Sequence, residues 1–198
     1  MTEYQDNNEN QNNGKLEYPY AKWMLDEIKG QYIVENEREG KIATKASAFI
    51  TVVVAIITLY IPMIPFEKFL KFWDVETTTY VKVLVVIAII FLCVGLGFFM
   101  FAFGVLIKAY GVKGYNRVRV DDLAKISAIN ENNCDWNESQ IAQGLVAHYH
   151  EILRGNLDRE GNMKINSKSA DNVKVGIKCT VIGFVLLSIA TIMLRIIL

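Results

Sequence analysis

Between Lys82 and Lys108 lie twenty-five residues, Val83 to Ile107, with no Asp, Glu, Lys, Arg or His among them. As a helix rising about 1.5 Å per residue the segment is roughly 37 Å long, more than a hydrocarbon core of about 30 Å, so it spans a bilayer with some tilt or overhang. Its small residues fall on two opposite faces: Ala88, Gly95 and Ala102 recur every seven residues on one, and Cys93, Gly97, Gly104 and Gly111 lie near the other. Small residues let helix backbones approach closely in lipid, so this segment is expected at the centre of a bundle with a neighbour on each small face.

Two further apolar segments supply those neighbours. Ala46 to Ile64 has nineteen residues without a charge, and Cys179 to Leu194 continues past Arg195 to the C-terminus. Ser47, Thr51, Ala55 and Thr58 form a small or hydroxyl stripe on the first, and Gly176, Thr180, Gly183, Leu187 and Ala190 keep a four-three spacing on the last. These are packing seams first, with Gly95, Gly97 and Gly104 of the central segment as counterparts. In an oligomer the same hydroxyls could line a pore.

The reading is an all-α integral membrane protein: three transmembrane helices with a small cytoplasmic helical domain. A disordered, Asn- and Gln-rich tail covers 1–14. A cytoplasmic helix follows over 15–45, then spans over 46–64, 83–107 and 179–198. Residues 65–82 form an extracytoplasmic interfacial loop, with Phe66, Phe69, Leu70 and Trp73 on one face of a short helix. A cytoplasmic helical insert occupies 108–178.

In the N-terminal helix Leu25, Ile28, Tyr32 and Ile42 keep a seven-residue rhythm that passes through Glu35 and Glu39, two acids expected to interrupt a coiled-coil seam. Gly30 and Gly40 are expected to break or bend it. In the insert, Asn137 and Gln140 have the form of a capping box, and Gly155 closes the helix that begins there. Its apolar face, Ile141, Leu145, Tyr149 and Ile152, is a candidate docking surface for a cytoplasmic partner. Val118 and Val120 alternate with Arg117 and Arg119, which suits a short extended stretch.

Charge sets the expected orientation. Six Lys or Arg precede the first span and eleven lie between Lys108 and Lys178, against four on the other side: Lys68, Lys71, Lys82 and Arg195. The positive-inside rule then puts the protein in the cell membrane, multi-pass, with the N-terminus cytoplasmic and the C-terminus extracytoplasmic.

Several classes are disfavoured. With 21 basic and 21 acidic side chains the 198-residue chain lacks the basic excess of a protein that neutralises phosphates, so no direct nucleic-acid binding is expected. Cys93, Cys134 and Cys179 give no disulfide framework or zinc knuckle. His148 and His150, two apart on a helix, point about 200° apart and do not share a metal. No phosphate loop occurs. The expectation is a protein that is not an enzyme, with no cofactor and no metal. Spans without ionisable residues also argue against a secondary transporter.

The arrangement resembles a group of small prokaryotic helical membrane proteins that includes the transmembrane effectors of antiphage systems of the Pycsar and retron type. The resemblance rests on the charged helix running into the first span, ENEREGKIATKASAFI, on the two closely spaced spans, and on Tyr149, Ile152, Asn156, Asn162, Lys168 and Ala170 before the third. The simpler effectors have two spans, and this chain has three. What the resemblance implies is a cytoplasmic domain that reads a protein or nucleotide signal, and an oligomeric bundle that forms a gated pore or disrupts the bilayer when triggered. The competing expectation is a non-enzymatic anchor or adaptor that docks a cytoplasmic partner. Homo-oligomerisation is expected in either case, because three spans leave apolar faces uncovered.

Overall fold

The computed structural model describes residues 18–65, 67–68, 72, 78–111, 115–118 and 137–197. Among the described residues the named α-helices are α1 (Ala21–Tyr60), α2 (Thr79–Tyr110), α3 (Glu138–Arg154) and α4 (Asn162–Ile197), with a 3₁₀ turn at Ile61–Met63. Among the described residues there is no strand beyond one isolated bridge between Gly155 and Glu160. α1, α2 and α4 are each long and apolar enough to cross a membrane, so the chain is a multi-pass helical membrane protein.

The three long helices share a 3.5-residue period. On α4 the buried positions 162, 166, 169, 173, 176, 180, 183, 187, 190 and 194 form an unbroken four-three alternation, with Cys179 and Thr191 buried beside it. On α2 they are Val85, Ala88, Gly95, Phe99, Ala102, Leu106 and Ala109. On α1 the buried Ala21, Leu25, Glu35, Ile42, Ala46 and Val53 fit the same repeat. A 3.5 repeat keeps one stripe turned toward its partner along a left-handed supercoil.

α2 runs antiparallel to α4. A Cβ on Gly95 would lie 3.1 Å from Leu187 Cγ and 3.2 Å from the Gly183 carbonyl oxygen, and one on Gly183 would lie 3.0 Å from the Gly95 carbonyl oxygen. Gly176 makes room for Leu106, whose Cγ would stand 2.7 Å from an added Cβ. Ala109 meets Val173 at one end of this seam, and Val85 and Ala88 meet Leu194 at the other. α1 lies beside the pair through Val53, which packs with Phe99, Leu106 and Leu187. Near its apolar end the Tyr60 hydroxyl is 2.6 Å from Ser188 Oγ. Ser188 donates its own proton to the Phe184 carbonyl oxygen at 2.8 Å, so Tyr60 is the donor to Ser188.

Two expectations are corrected. The central helix does not receive α1 on its second small face: Gly97 and Gly104 have open space around them, and α1 packs against the larger Leu92, Leu96, Phe99 and Phe103. Apolar surface of any size satisfies a helix in lipid, so smallness alone does not select the neighbour. Nor do Gly30 and Gly40 break α1, which runs unbroken for 40 residues. Their cost of about 1 kcal/mol each is one a long, packed helix can carry.

At about 1.5 Å per residue α1 and the 36-residue α4 are roughly 60 and 54 Å long, well beyond a hydrocarbon core. Their polar halves project together as a headpiece, and α3 packs there. Tyr18 N donates to Ser139 Oγ at 3.2 Å, Lys22 pairs with Glu138 at 3.2 Å, and Ala21 and Leu25 cluster with Ala142 and Val146. The Tyr32 and Tyr149 rings meet edge-on with centroids 5.5 Å apart. α3 therefore runs parallel to the start of α1. Asn137 accepts from Gln140 N at 2.9 Å and donates its own N–H to Gln140 Oε1 at 2.8 Å, the reciprocal cap expected from the sequence. Gly155, at φ +88°, ends the helix as expected.

The expected interfacial face, Phe66, Phe69, Leu70 and Trp73, lies outside the described residues, as do the tail 1–14, Val120 and Cys134. Phe72 is buried against Val85, Ala88 and Leu194.

Candidate functional site

The polar groups of the headpiece converge where all four helices come within reach of one short segment, residues 115–118. Glu35 occupies a seam position of α1 and is buried. A carboxylate there needs partners on both oxygens, because an unpaired buried charge is costly. Oε1 lies 3.3 Å from Arg38 Nη1, and Oε2 accepts from Asn166 Nδ2 at 2.8 Å. The same Asn166 nitrogen also donates to the Glu35 backbone carbonyl at 2.8 Å, which leaves two helices tied by one side chain. The acid expected to interrupt the seam is thus its most specific contact.

One turn earlier on α4, the fully buried Asn162 treats residue 116 as a strand neighbour would. Its Oδ1 accepts from Asn116 N at 2.9 Å and its Nδ2 donates to the Asn116 carbonyl at 2.7 Å. Asn116 Nδ2 donates to the Glu160 carbonyl at 3.2 Å, and Val118 N donates to the Tyr32 hydroxyl at 3.3 Å. Residues 115–118 follow the end of α2, so this segment joins α2 to α1, α4 and the turn after α3.

Among the described residues one buried atom in this region, His148 Nε2, has no hydrogen-bond partner, while the Tyr115 hydroxyl and the Asn166 side chain are left to each other, an interaction that by itself lowers the phenol's pKa. Burial, and next the charge of Glu39, push the Tyr115 phenol up to about 12. Burial also raises Tyr149, with Tyr32 adding to it. Both hydroxyls stay protonated donors across the physiological range.

The candidate residues separate into three groups. Gly95, Thr180 and Gly183 are buried in the α2–α4 seam, where the Thr180 hydroxyl donates to the Gly176 carbonyl at 2.8 Å. Ser47, Thr51, Ala55 and Thr58 on α1, with Gly97 and Gly104 on α2, are exposed and turn away from the chain's own bundle. Thr51 and Thr58 donate to the carbonyls of Ser47 and Val54, so their hydroxyls are satisfied within α1. On α3, Leu145 and Tyr149 pack against the cluster with α1, Ile152 is buried, and Ile141 edges a groove beside Tyr18, Pro19 and Lys22. Most of the candidate partner face is therefore covered by the N-terminal helix of the same chain. His148 is partly buried and His150 exposed, and they line clefts on different sides of α3.

Sequence reading passed over Ala142 and Val146, which centre the α1–α3 contact, and the pairing of Glu35 with Asn166. The signal for Asn166 lay in the four-three spacing, which continues back from Gly176 through Val173, Ser169 and Asn166 to Asn162. No protein-family model matches the chain, and no curated protein or solved structure does so.

Proposed function

We propose that the protein is a small oligomeric membrane protein whose headpiece reads a signal and controls the permeability of its bundle, as a gated pore or a membrane-disrupting effector. The observation that carries this reading is the continuity of α1 and α4, each a single helix from the polar junction into the apolar bundle. A rearrangement around Glu35 and Asn166 has no flexible joint in which to dissipate, so it tilts or shifts the two outer helices against α2. The exposed stripes, Ser47–Thr51–Ala55–Thr58 and Gly97–Gly104, are the faces through which copies associate. The resemblance to antiphage effectors suggests the setting, prokaryotic defence, in which such a trigger is useful. The headpiece is taken as cytoplasmic from the balance of basic residues.

The test is depolarisation of a host expressing the protein at high level, compared with an Ile141→Pro, Leu145→Pro variant that breaks α3 while leaving the apolar segments intact. The parent should depolarise the host, and the variant should insert equally but lose its response to the trigger. The covered face on α3 weakens the adaptor alternative, though the groove beside Ile141 keeps it specific enough to test. If neither protein alters membrane potential under any condition, the anchor reading replaces this one. Labelling an added cysteine at each terminus with an impermeant maleimide checks the orientation: the C-terminal site should react in intact cells and the N-terminal site only after lysis.

A further inference from the structure

A cleft of about 540 Å³ opens between residues 115–117, the second half of α3 and the turn that follows it. Its size falls within the range of small-molecule sites. Arg117 and Arg159 stand on its walls, both exposed, and neither has an ion-pair partner among the described residues.

Their backbones are held while their side chains are free. Arg117 sits between Asn116, bonded through N–H and C=O to Asn162, and Val118, bonded to Tyr32. Arg159 belongs to a tight turn in which Asn156 N donates to the Arg159 carbonyl at 3.0 Å, and Asn156 Oδ1 accepts from Asp158 N and Arg159 N at 3.0 and 2.9 Å. That turn has no slack, because a Cβ on Gly161 would stand 2.1 Å from the Arg154 carbonyl carbon. Among the described residues Glu151 is the single acid of the lining, and its carboxylate accepts from Asn156 Nδ2. Two guanidiniums on fixed backbones, against the one carboxylate of Glu151, leave the described lining of the cleft with an excess of positive charge. His148, whose Nε2 has no partner among the described residues, and Tyr115 line the same cleft.

We propose that this cleft binds a small soluble organic phosphate, its phosphate held by Arg117 and Arg159. Paired planar guanidiniums match phosphate oxygens bidentately, and the remaining volume accepts the organic part beside Ile152. Position favours a soluble phosphate over a lipid headgroup. Asn162 lies sixteen residues before Lys178, where the apolar segment of α4 begins, or roughly 24 Å along the helix. A headgroup layer is only about 5–8 Å deep on each side. Because residues 115–117 bond to α4 and lead back to α2, an occupant would bear directly on the junction. The inference rests on the signal-reading half of the proposed function and names the chemistry of that signal.

The experiment is calorimetric titration of the full-length protein in detergent with pyrophosphate, with citrate and a short-chain phosphatidic acid as comparisons at one fixed salt concentration. Pyrophosphate should bind saturably, and Arg117→Gln and Arg159→Gln should each weaken it at least tenfold with helical content unchanged. Lys22→Gln, which removes a charge elsewhere in the headpiece, should bind as the parent does. The proposal is overturned by absent binding, by equal affinity in both arginine variants, by equal loss in Lys22→Gln, by citrate binding as tightly, or by phosphatidic acid binding where pyrophosphate does not. Binding is read without reference to permeability. Lost binding with intact host depolarisation therefore counts against the cleft alone, and intact binding without depolarisation counts against the proposed function alone.

Discussion

Asn166 Nδ2 donates to both the backbone carbonyl and the carboxylate of Glu35, each at 2.8 Å, and so fixes the register of α4 against α1. Removing the amide leaves a buried carbonyl and half of a buried carboxylate without partners, a loss of about 2–3 kcal/mol. Asn166→Ala should therefore lower thermal stability in detergent, whereas Glu35→Gln, which keeps the backbone contact and an acceptor, should cost less. Combined, the two changes should be non-additive, and additive melting shifts would show that the pair is not coupled.

The α2–α4 seam makes a sharper distinction among glycines. Gly183→Leu drives a side chain into the Gly95 carbonyl and the Phe99 ring, each about 3.0 Å from the first added carbon, and should separate the helices and lower the melting temperature. Gly97→Leu and Gly104→Leu project into open space and should leave the monomer fold unchanged. If copies meet on that face, the same two changes reduce the oligomer seen by native mass measurement. Unchanged oligomeric mass in the double variant would place the contact elsewhere.

Conformation separates another group. Gly155 has φ +88° and an added Cβ would lie 2.3 Å from the Arg159 carbonyl oxygen, so Gly155→Ala should destabilise the headpiece by more than 1 kcal/mol, on the order of the penalty for strain at such a position. Gly30→Ala and Gly40→Ala meet nothing within 4 Å and should each stabilise α1 by about 0.5–1 kcal/mol. Thermal melts followed by circular dichroism read both signs.

How much of this was legible beforehand depends on which force selects each feature. Three long apolar helices, the α4 spacing, the Asn137–Gln140 cap and the stop at Gly155 follow from local pattern, and each is present in the fold. The neighbour of α2's second small face was not legible, since lipid gives no premium for matching small to small. Glu35 was read as a break because a periodicity argument sees a charge on an apolar stripe but not its partner 131 positions away. The α3 face was placed about one residue off its centre: Ile141, Leu145 and Tyr149 outline it, yet Ala142 and Val146 carry the close contact because their small size lets α1 approach.

The Tyr115 phenol offers a pH readout. Its folded value, about 12, lies above the ordinary 10.0, so the contribution of its burial to stability is fully present below pH 10 and is lost as the pH rises through about 12. Absorbance titration should show a late tyrosinate step that Tyr115→Phe removes. Persistence of that step in the variant would assign it to another tyrosine.

The central claim is that the Glu35–Asn166 junction governs the state of the bundle. Its most direct measurement is potassium efflux from proteoliposomes containing equal amounts of the parent, Asn166→Ala and Glu35→Ala, with helical content and oligomeric mass checked in parallel. Releasing the junction should change efflux at least tenfold in both variants at unchanged mass. Efflux indistinguishable from the parent in both, with the helices intact, would contradict the claim and leave the headpiece as a passive extension of the anchor.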